Sequence, residues 1–249
     1  MPAASNGIKV LLAPEQLGNF LGIPITNTLL MSWVVVIILV VIAFAAGSRL
    51  RLIPGRFQTL LETLFGFVYD YIAETLESRD MARKFLPLLL TIFLFIFTAN
   101  LIEFTPGIGS VVISHGGESF PLLRSMNTDL NVTLMLAIIS FFVIEFTGVA
   151  ALGALKYGGK FLNFHSAIGF VVGIIELFSE LVRLVSFSFR LFGNIFAGEV
   201  LILVIIFFAP YVAPVPLMLF EVFVGFIQAA IFALLTLFFI KIAIMEPSH

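Results

Sequence analysis

The sequence predicts an all-α integral membrane protein with about five membrane helices and one amphipathic helix at the membrane surface. The last two membrane helices are expected to be long, strongly tilted and joined as a hairpin. Of the 249 residues, 61% are hydrophobic and only 11% are charged, whereas a soluble domain carries roughly 25% charged residues. Five apolar runs are long enough to cross a hydrocarbon layer about 30 Å thick, which takes roughly 20 helical residues. A soluble fold is therefore excluded.

Charge balance and motif content exclude several function classes. Thirteen Lys and Arg against fifteen Asp and Glu give a net charge of −2, so no basic surface for nucleic acid is expected. The sequence has no cysteine, which excludes disulfides, thiol catalysis and thiolate metal ligands. It also lacks an HExxH zinc motif, a serine nucleophile elbow and a Walker-type glycine loop, so no metal or other cofactor and no nucleotide chemistry is expected.

The five apolar runs follow in order along the chain. They cover residues 29–46, 85–104, 130–155, 167–208 and 216–244. Between the first two runs, apolar side chains at helical spacing lie opposite Glu62, Asp70 and Glu77, which predicts an amphipathic helix on the membrane surface within residues 49–84. The expected divisions are an N-terminal outer segment (1–28), the first span with the surface helix (29–84), the second and third spans (85–155) and the hairpin (156–249).

The distribution of cations predicts the orientation, because loops rich in Lys and Arg stay in the cytoplasm. The cations of the first and third loops are Arg49, Arg51, Arg56, Arg79, Arg83, Lys84, Lys156 and Lys160. The second loop (105–128) holds only Arg124, and the N-terminal segment holds only Lys9. We therefore expect the N-terminus outside and the C-terminus in the cytoplasm. Residues 1–28 lack the sequence of features of a signal peptide, which are a basic start, an apolar stretch and a small-residue cleavage site, so we expect them in the mature protein. The expected location is a bacterial inner membrane.

The fourth run is too long for an ordinary span. Residues 167–208 contain no proline, and as one helix they would extend on the order of 60 Å. Burying that length requires a tilt of roughly 60°, beyond the usual range of about 0–40°; the alternative is a break near Gly193 or Gly198. Prolines at 210, 214 and 216 mark a turn, so this run and the fifth are predicted to form a hairpin.

Charged residues inside the fourth and fifth runs indicate function, because each costs roughly 2.5–3.5 kcal/mol or more at a helix centre. Spacings of three and four residues place one polar stripe along the fourth run: Glu176, Ser179, Arg183, Ser186, Arg190 and Asn194. Glu199 lies nine residues past Arg190, which puts it on the opposite face of the helix. In the fifth run Glu221 and Gln228 share a face with Gly225.

This pattern predicts a proton path with an electrostatic barrier. An arginine keeps its proton, so Arg190 is a fixed positive charge, whereas desolvated carboxyls such as Glu199 and Glu221 exchange protons. The alternative is a set of structural ion pairs between helices, which suits Glu176, Glu180 and Arg183 at least as well. The sequence leaves Glu145 open as a helix-contact residue or a group that faces water.

Residues 189–199, FRLFGNIFAGE, resemble the signature of subunit a of the F-type ATP synthase. The motif NLIE at residues 100–103, the motif DLNVTL at residues 129–134, and the spacing of Glu221 and Gln228 also match. The resemblance extends from the first span to the C-terminus. It implies a stator beside a ring of c-subunits, held by peripheral-stalk b subunits, while the soluble head of the complex makes ATP.

The resemblance also implies residue roles. Arg190 would face the ring, attract its ionised carboxylate and block direct leakage between two offset half-channels, while Asn194 contributes to the ring contact. The outer access path would contain Glu199, Glu221, Gln228, Asn100 and Glu103. Glu176 matches a position in the cytoplasmic exit path, and the polar positions that face the ring are Ser179, Arg183 and Ser186. A histidine relay is not expected, because His115, His165 and His249 lie outside the predicted channel.

Two other classes of function remain as alternatives. A secondary transporter would bind a solute and a coupling ion near the midplane, but the sequence shows no inverted repeat and no matching Gly/Pro-interrupted spans. A structural protein with buried ion pairs and no transport is the second alternative. It predicts that Arg190 can be replaced together with its partner at little functional cost.

Overall fold

A computed structural model describes residues 14–20, 22–48, 50–103, 112–115, 118–161 and 167–245. In these ranges the helices are α1 (Asn27–Gly47), α2 (Arg56–Leu76), α3 (Arg79–Glu103), α4 (Leu130–Leu152), α5 (Ala154–Phe161), α6 (Ala167–Phe208) and α7 (Pro214–Ile244). The strands are β1 (Gln16–Phe20), β2 (Ile23–Thr26), β3 (Val112–His115) and β4 (Glu118–Pro121), paired as two antiparallel hairpins. Helices α1, α3, α4, α6 and α7 are long and apolar enough to cross a membrane. The predicted all-α membrane fold is confirmed.

The helix ends differ from the apolar runs where charged or glycine residues intervene. Helix α3 begins at Arg79, six residues before the predicted span, because its charged first turns precede the apolar part. Helix α4 ends at Leu152, three residues earlier than predicted, because the next residue, Gly153, has a positive φ of 83°. That conformation suits glycine and ends the helix.

Helix α2 is the predicted amphipathic helix, shorter than the segment from which it was predicted. Ile72 and Leu76 are buried against the bundle, whereas Phe57, Leu60 and Leu64 remain more than half exposed. The helix ends at Leu76, and the next residue, Glu77, takes the left-handed conformation with φ 54°. Its N-terminal part therefore presents an apolar surface that the described residues leave uncovered.

Helix α6 is continuous over 42 residues, so the expected alternative of a break near Gly193 or Gly198 is wrong. Its length is about 63 Å at 1.5 Å per residue. Residues 209–213 turn the chain into α7, and the two helices then pack antiparallel. Pairs along the hairpin include Gly198 with Glu221, Asn194 with Gln228, and Phe187 with Phe232, whose ring centroids are 5.1 Å apart.

The helices pack through small residues as well as through apolar side chains. Helix α3 packs along α7, and α4 packs along both α6 and α7. A central cluster joins these four helices around Ile96, Leu191 and Phe232. Since lipid tails are as apolar as leucine, close packing rather than the hydrophobic effect holds such helices together. Gly225 of α7 illustrates this, because a Cβ there would lie 2.8 Å from the Cβ of Asn100 in α3.

Two ends of the bundle are used as reference points below. The Asp129 end contains the start of α1, the end of α3, the start of α4 and the α6–α7 turn; the Lys241 end contains α5 and the end of α7. The β1–β2 hairpin, which was not predicted from the sequence, is attached to the Asp129 end by hydrogen bonds. The Asn27 amide donates to Oε2 of Glu15 at 2.8 Å, and the buried Thr28 hydroxyl donates to Oδ2 of Asp129 at 2.8 Å.

Candidate functional site

Arg190 lies in the middle of α6 and lines an open groove of about 550 Å³. The groove is also lined by the polar residues Ser179, Arg183 and Ser186, together with apolar side chains that include Leu235 and Phe239. Four residues of the predicted polar stripe, Arg190 and these three, therefore lie on one continuous surface. Arg190 is exposed, and within the described ranges no residue forms a hydrogen bond or an ion pair with its guanidinium. The described part of the chain therefore leaves a fixed positive charge on the groove.

Glu103 and Glu199 belong to a charged cluster at the Asp129 end. The Ser125 hydroxyl donates to Oε2 of Glu103 at 2.7 Å, and Nη2 of Arg124 lies 3.7 Å from Oε2 of Glu199. That separation allows an ion pair but no hydrogen bond, and this buried Glu199 oxygen has no hydrogen-bond partner among the described residues. Glu103 also interacts electrostatically with Glu199 and Glu221. The structure thus places two predicted carboxyls, those of Glu103 and Glu199, near Arg124, and Glu221 near Glu103.

Asn100 and Gln228 connect α7 to its two neighbours. The Asn100 side chain donates to the carbonyl oxygen of Gly225 at 3.1 Å and accepts from the Asn127 amide at 2.6 Å. The Gln228 Oε1 accepts from the amide of Asn194 at 2.8 Å. Asn100 and Gln228 are both buried. Asn194 is exposed on α6, so this polar line extends from the Asp129 end to a position one turn from Arg190.

The Glu221 carboxyl occupies space that a glycine leaves open. Glu221 is 6% exposed, and a Cβ at Gly198 would collide with its carboxyl. The side chain of the neighbouring Glu199 extends to Arg124 instead. Gly198 therefore allows α6 to pass close to an ionisable group of α7, which no side chain at that position would permit.

A second charged cluster lies toward the Lys241 end. The Lys160 ammonium of α5 lies 2.8 Å from Oε1 of Glu176, and Nη1 of Arg183 lies 2.6 Å from Oε2 of the buried Glu180. The Arg183 guanidinium also covers the ring of Phe239 at 3.8 Å from its centroid. Glu176 and Arg183 thus have partners within the chain, whereas Arg190 has none among the described residues.

Near the same cluster, Tyr157 of α5 contacts helix α4. Its hydroxyl donates to Oε2 of Glu145 at 3.1 Å, and its ring packs where a Cβ on Gly148 would be. Burial raises the pKa of the Tyr157 hydroxyl above its ordinary value, and the nearby Glu145 carboxylate acts in the same direction. Tyr157 therefore remains a hydrogen-bond donor.

Sequence reasoning missed several members of these clusters. Arg124, Ser125 and Asn127 lie in a loop, and no periodicity relates a loop position to a helix face. The signal for Arg124 was its isolation, since it is the only cation in the second loop. Tyr157 and Lys160 belong to the short helix α5, which was not predicted. His165 and His249 lie outside the described residues, and those residues contain no group of three His, Cys, Asp or Glu side chains that could hold a metal ion.

Five apolar helices with clusters of charged and amide side chains between them define an integral membrane protein. A family model for the ATP synthase A chain matches residues 29–241. The chain belongs to the ATP synthase subunit a family. It is therefore part of an ATP synthase complex.

Similar proteins come from bacteria of two genera. ATP synthase subunit a of Campylobacter curvus (strain 525.92) is 34% identical over 215 residues, which cover 86% of this chain and 89% of that protein. The protein of the same name from Moorella thermoacetica (strain ATCC 39073 / JCM 9320) is 32% identical over 227 residues, covering 91% and 94%. These relatives and the five apolar helices support an integral protein of a bacterial membrane.

Proposed function

We propose that this chain is the proton-channel stator of the complex. It provides two offset half-channels to a ring of c-subunits and couples proton flow to ring rotation and ATP synthesis. Peripheral-stalk b subunits hold it in place, and the soluble head performs the chemistry, so the chain has no catalytic residue of its own. The N-terminus lies outside and the C-terminus in the cytoplasm, which makes the Asp129 end the entry side.

The proposal depends on the guanidinium of Arg190, which has no partner among the described residues. An arginine in a membrane span costs roughly 2.5–3.5 kcal/mol at a helix centre, and the described residues offer no carboxylate to offset that cost. The groove beside it is open, so a carboxylate of a neighbouring subunit has access. An opposite charge within about 4–6 Å favours the ionised form of such a carboxyl. Arg190 therefore releases the proton from each ring carboxyl that reaches it.

The positions of the two clusters support half-channels that do not meet. The cluster of the Asp129 end includes Glu103, Glu199 and Glu221. On the same helix as Glu221, Gln228 accepts a hydrogen bond from Asn194, which lies on α6 four residues after Arg190. The cluster of the Lys241 end reaches the groove at Arg183, seven residues before Arg190. A proton that enters by the first path meets a fixed positive charge before it meets the second. It reaches the exit path near Glu176 only after the ring has carried it round.

The membrane potential supplies the driving force for this cycle. Moving one charge through 100 mV releases about 2.3 kcal/mol. One such transfer is small, so several must accumulate before one ATP is released. Each transfer turns the ring by one step, so a rotating ring adds several transfers into one larger rotation. A channel without a rotor has no such means of adding them.

The test is ATP-driven proton pumping in inverted membrane vesicles that contain the assembled complex. Arg190→Ala is compared with the wild type, with ATP hydrolysis and subunit content measured in the same vesicles. We expect pumping to fall to background while hydrolysis by the assembled complex persists. Vesicles stripped of the soluble head should still conduct protons, because the half-channels remain and only the barrier is lost.

Lys241→Gln is the matched control, since it removes a cation that does not line the groove and pairs instead with the exposed Glu77. It should leave pumping unchanged. Wild-type pumping by Arg190→Ala would refute the rotary role of this helix and favour a structural protein held by ion pairs.

A further inference from the structure

Six polar side chains form a cluster between α4, α5 and α6 toward the Lys241 end, called the exit cluster below. They are Glu145, Tyr157, Lys160, Glu176, Glu180 and Arg183. Helix α5 closes this region from two sides, because Tyr157 packs on Gly148 of α4 and the Phe161 carbonyl packs on Gly173 of α6. The function proposed above uses Glu176 and the groove residues but assigns no role to Glu145.

The exit cluster contains one more carboxyl than it has cations, and Glu145 is the carboxyl that is left over when the others are paired. The cluster holds three carboxyls and two cations. Lys160 pairs with Glu176 at 2.8 Å, and Arg183 pairs with Glu180 at 2.6 Å. The Glu145 carboxyl receives one hydrogen bond, from the neutral Tyr157 hydroxyl, and among the described residues its buried Oε1 has no partner. Among the described residues, no cation forms an ion pair with the Glu145 carboxyl.

Glu145 is also connected to the ring-facing groove. Arg183 lines that groove and reaches back to Glu180, which is buried between the helices. The Glu145 carboxyl interacts electrostatically with Glu180, Arg183 and Lys160. A group of charged side chains therefore lies between the groove, at Arg183, and helix α5, at Lys160.

We propose that Glu145 carries protons between the ring-facing groove and the Lys241 end, and that Tyr157 is a positioning residue for its carboxyl. This inference rests on the proposed stator function and extends its exit path. In each passage the Glu145 carboxylate takes one proton from water on the groove side and gives one to water on the Lys241 side. The carboxyl returns to its starting state, no electrons move, and Tyr157 keeps its own proton.

Substitution by glutamine separates this role from a structural one. Glutamine has the volume of glutamate, and its carbonyl oxygen accepts the Tyr157 hydrogen bond, but it does not carry a proton at neutral pH. A purely structural Glu145 therefore tolerates Glu145→Gln. Glu145→Asp retains a carboxyl at the cost of one methylene and should restore flux that glutamine loses.

The experiment measures ATP-driven pumping and passive proton conductance of head-stripped vesicles, each per assembled complex. We expect Glu145→Gln to lower both by about tenfold or more, as for loss of a proton-transferring group. Glu145→Asp should keep most of the wild-type flux, and Tyr157→Phe should fall between the two. Glu62→Gln is the control, because it makes the same change on the exposed side of α2, away from the exit cluster.

Each result bears on the inference. Wild-type flux in Glu145→Gln overturns it, and so does an equal loss in the glutamine and aspartate variants. If neither variant assembles, Tyr157→Phe decides, because it keeps its ring on Gly148 and loses only the hydroxyl; wild-type flux per complex then overturns the inference. Failure of the stator function is recognised separately, because in that case Arg190→Ala retains pumping.

Discussion

The close approach of α3 and α7 at Gly225 predicts a specific cost for Gly225→Ala. The added Cβ would lie 2.8 Å from the Cβ of Asn100 and 3.3 Å from its Cγ. A contact to the base of a side chain is not relieved by rotating its far end, so the helices must separate. Separation also stretches the 3.1 Å hydrogen bond from Asn100 to the Gly225 carbonyl oxygen.

The magnitude follows from three contributions. Overpacking costs about 1–3 kcal/mol, and the lost hydrogen bond costs about 0.5–1.5 kcal/mol. Alanine returns about 1 kcal/mol because it favours helix more than glycine does. The net loss in the free energy of unfolding is therefore about 2 kcal/mol, which is roughly a 30-fold change in the folding equilibrium constant.

The assay is unfolding of the purified chain in mixed detergent micelles as the denaturing detergent fraction rises, followed by circular dichroism. Gly66→Ala is the matched control, since a Cβ on that α2 glycine has nothing within 4 Å. It should stabilise the chain by up to about 1 kcal/mol. If Gly225→Ala is as stable as Gly66→Ala, the close contact between α3 and α7 described above is wrong.

Three other substitutions test features of the fold by the same unfolding measurement. Thr28→Val should cost about 1–3 kcal/mol, because it leaves a buried Asp129 oxygen without its 2.8 Å hydrogen bond; an unchanged midpoint would contradict that bond. Lys241→Gln should change stability by less than about 1 kcal/mol, as expected for an ion pair with an exposed partner; a larger loss would show that this pair holds α7 to α2. Burial raises the pKa of the Tyr157 hydroxyl. Tyr157 therefore contributes fully to the free energy of unfolding below the ordinary tyrosine pKa of about 10, and this contribution is lost as pH rises toward the raised pKa. Tyr157→Phe should therefore reduce the alkaline loss of stability between about pH 10 and 12, and an unchanged pH dependence would place the hydroxyl in water.

Features fixed by position along a helix were predictable from the sequence. The bounds of α6 agree with the apolar run, because residue type alone decides whether a segment stays in lipid. The stripe that contains Arg190 and Ser186 also lines one groove, since 100° per residue is independent of what surrounds the helix. The face shared by Glu221, Gly225 and Gln228 is buried for the same reason.

Features that depend on which elements meet were not predictable. The approach of Arg124 to Glu199 joins a loop to a helix 75 positions later in the chain, and helical periodicity contains no information about that distance. Helix α5 is only eight residues long and contains two adjacent glycines, so its local preference for helix is weak. Tyr157 and Glu145 meet because α5 folds back on α4, which the apolar pattern of α4 does not specify.

The unbroken helix α6 acts as a molecular ruler between the two polar clusters. Glu176 and Glu199 lie on the same rigid rod, so their separation along its axis is set at about 35 Å by the rise per residue. Inserting one residue between them would lengthen the rod by only about 1.5 Å but would rotate one cluster by about 100° relative to the other. The number of residues between these charged positions can therefore change only in steps that restore both faces of the helix at once.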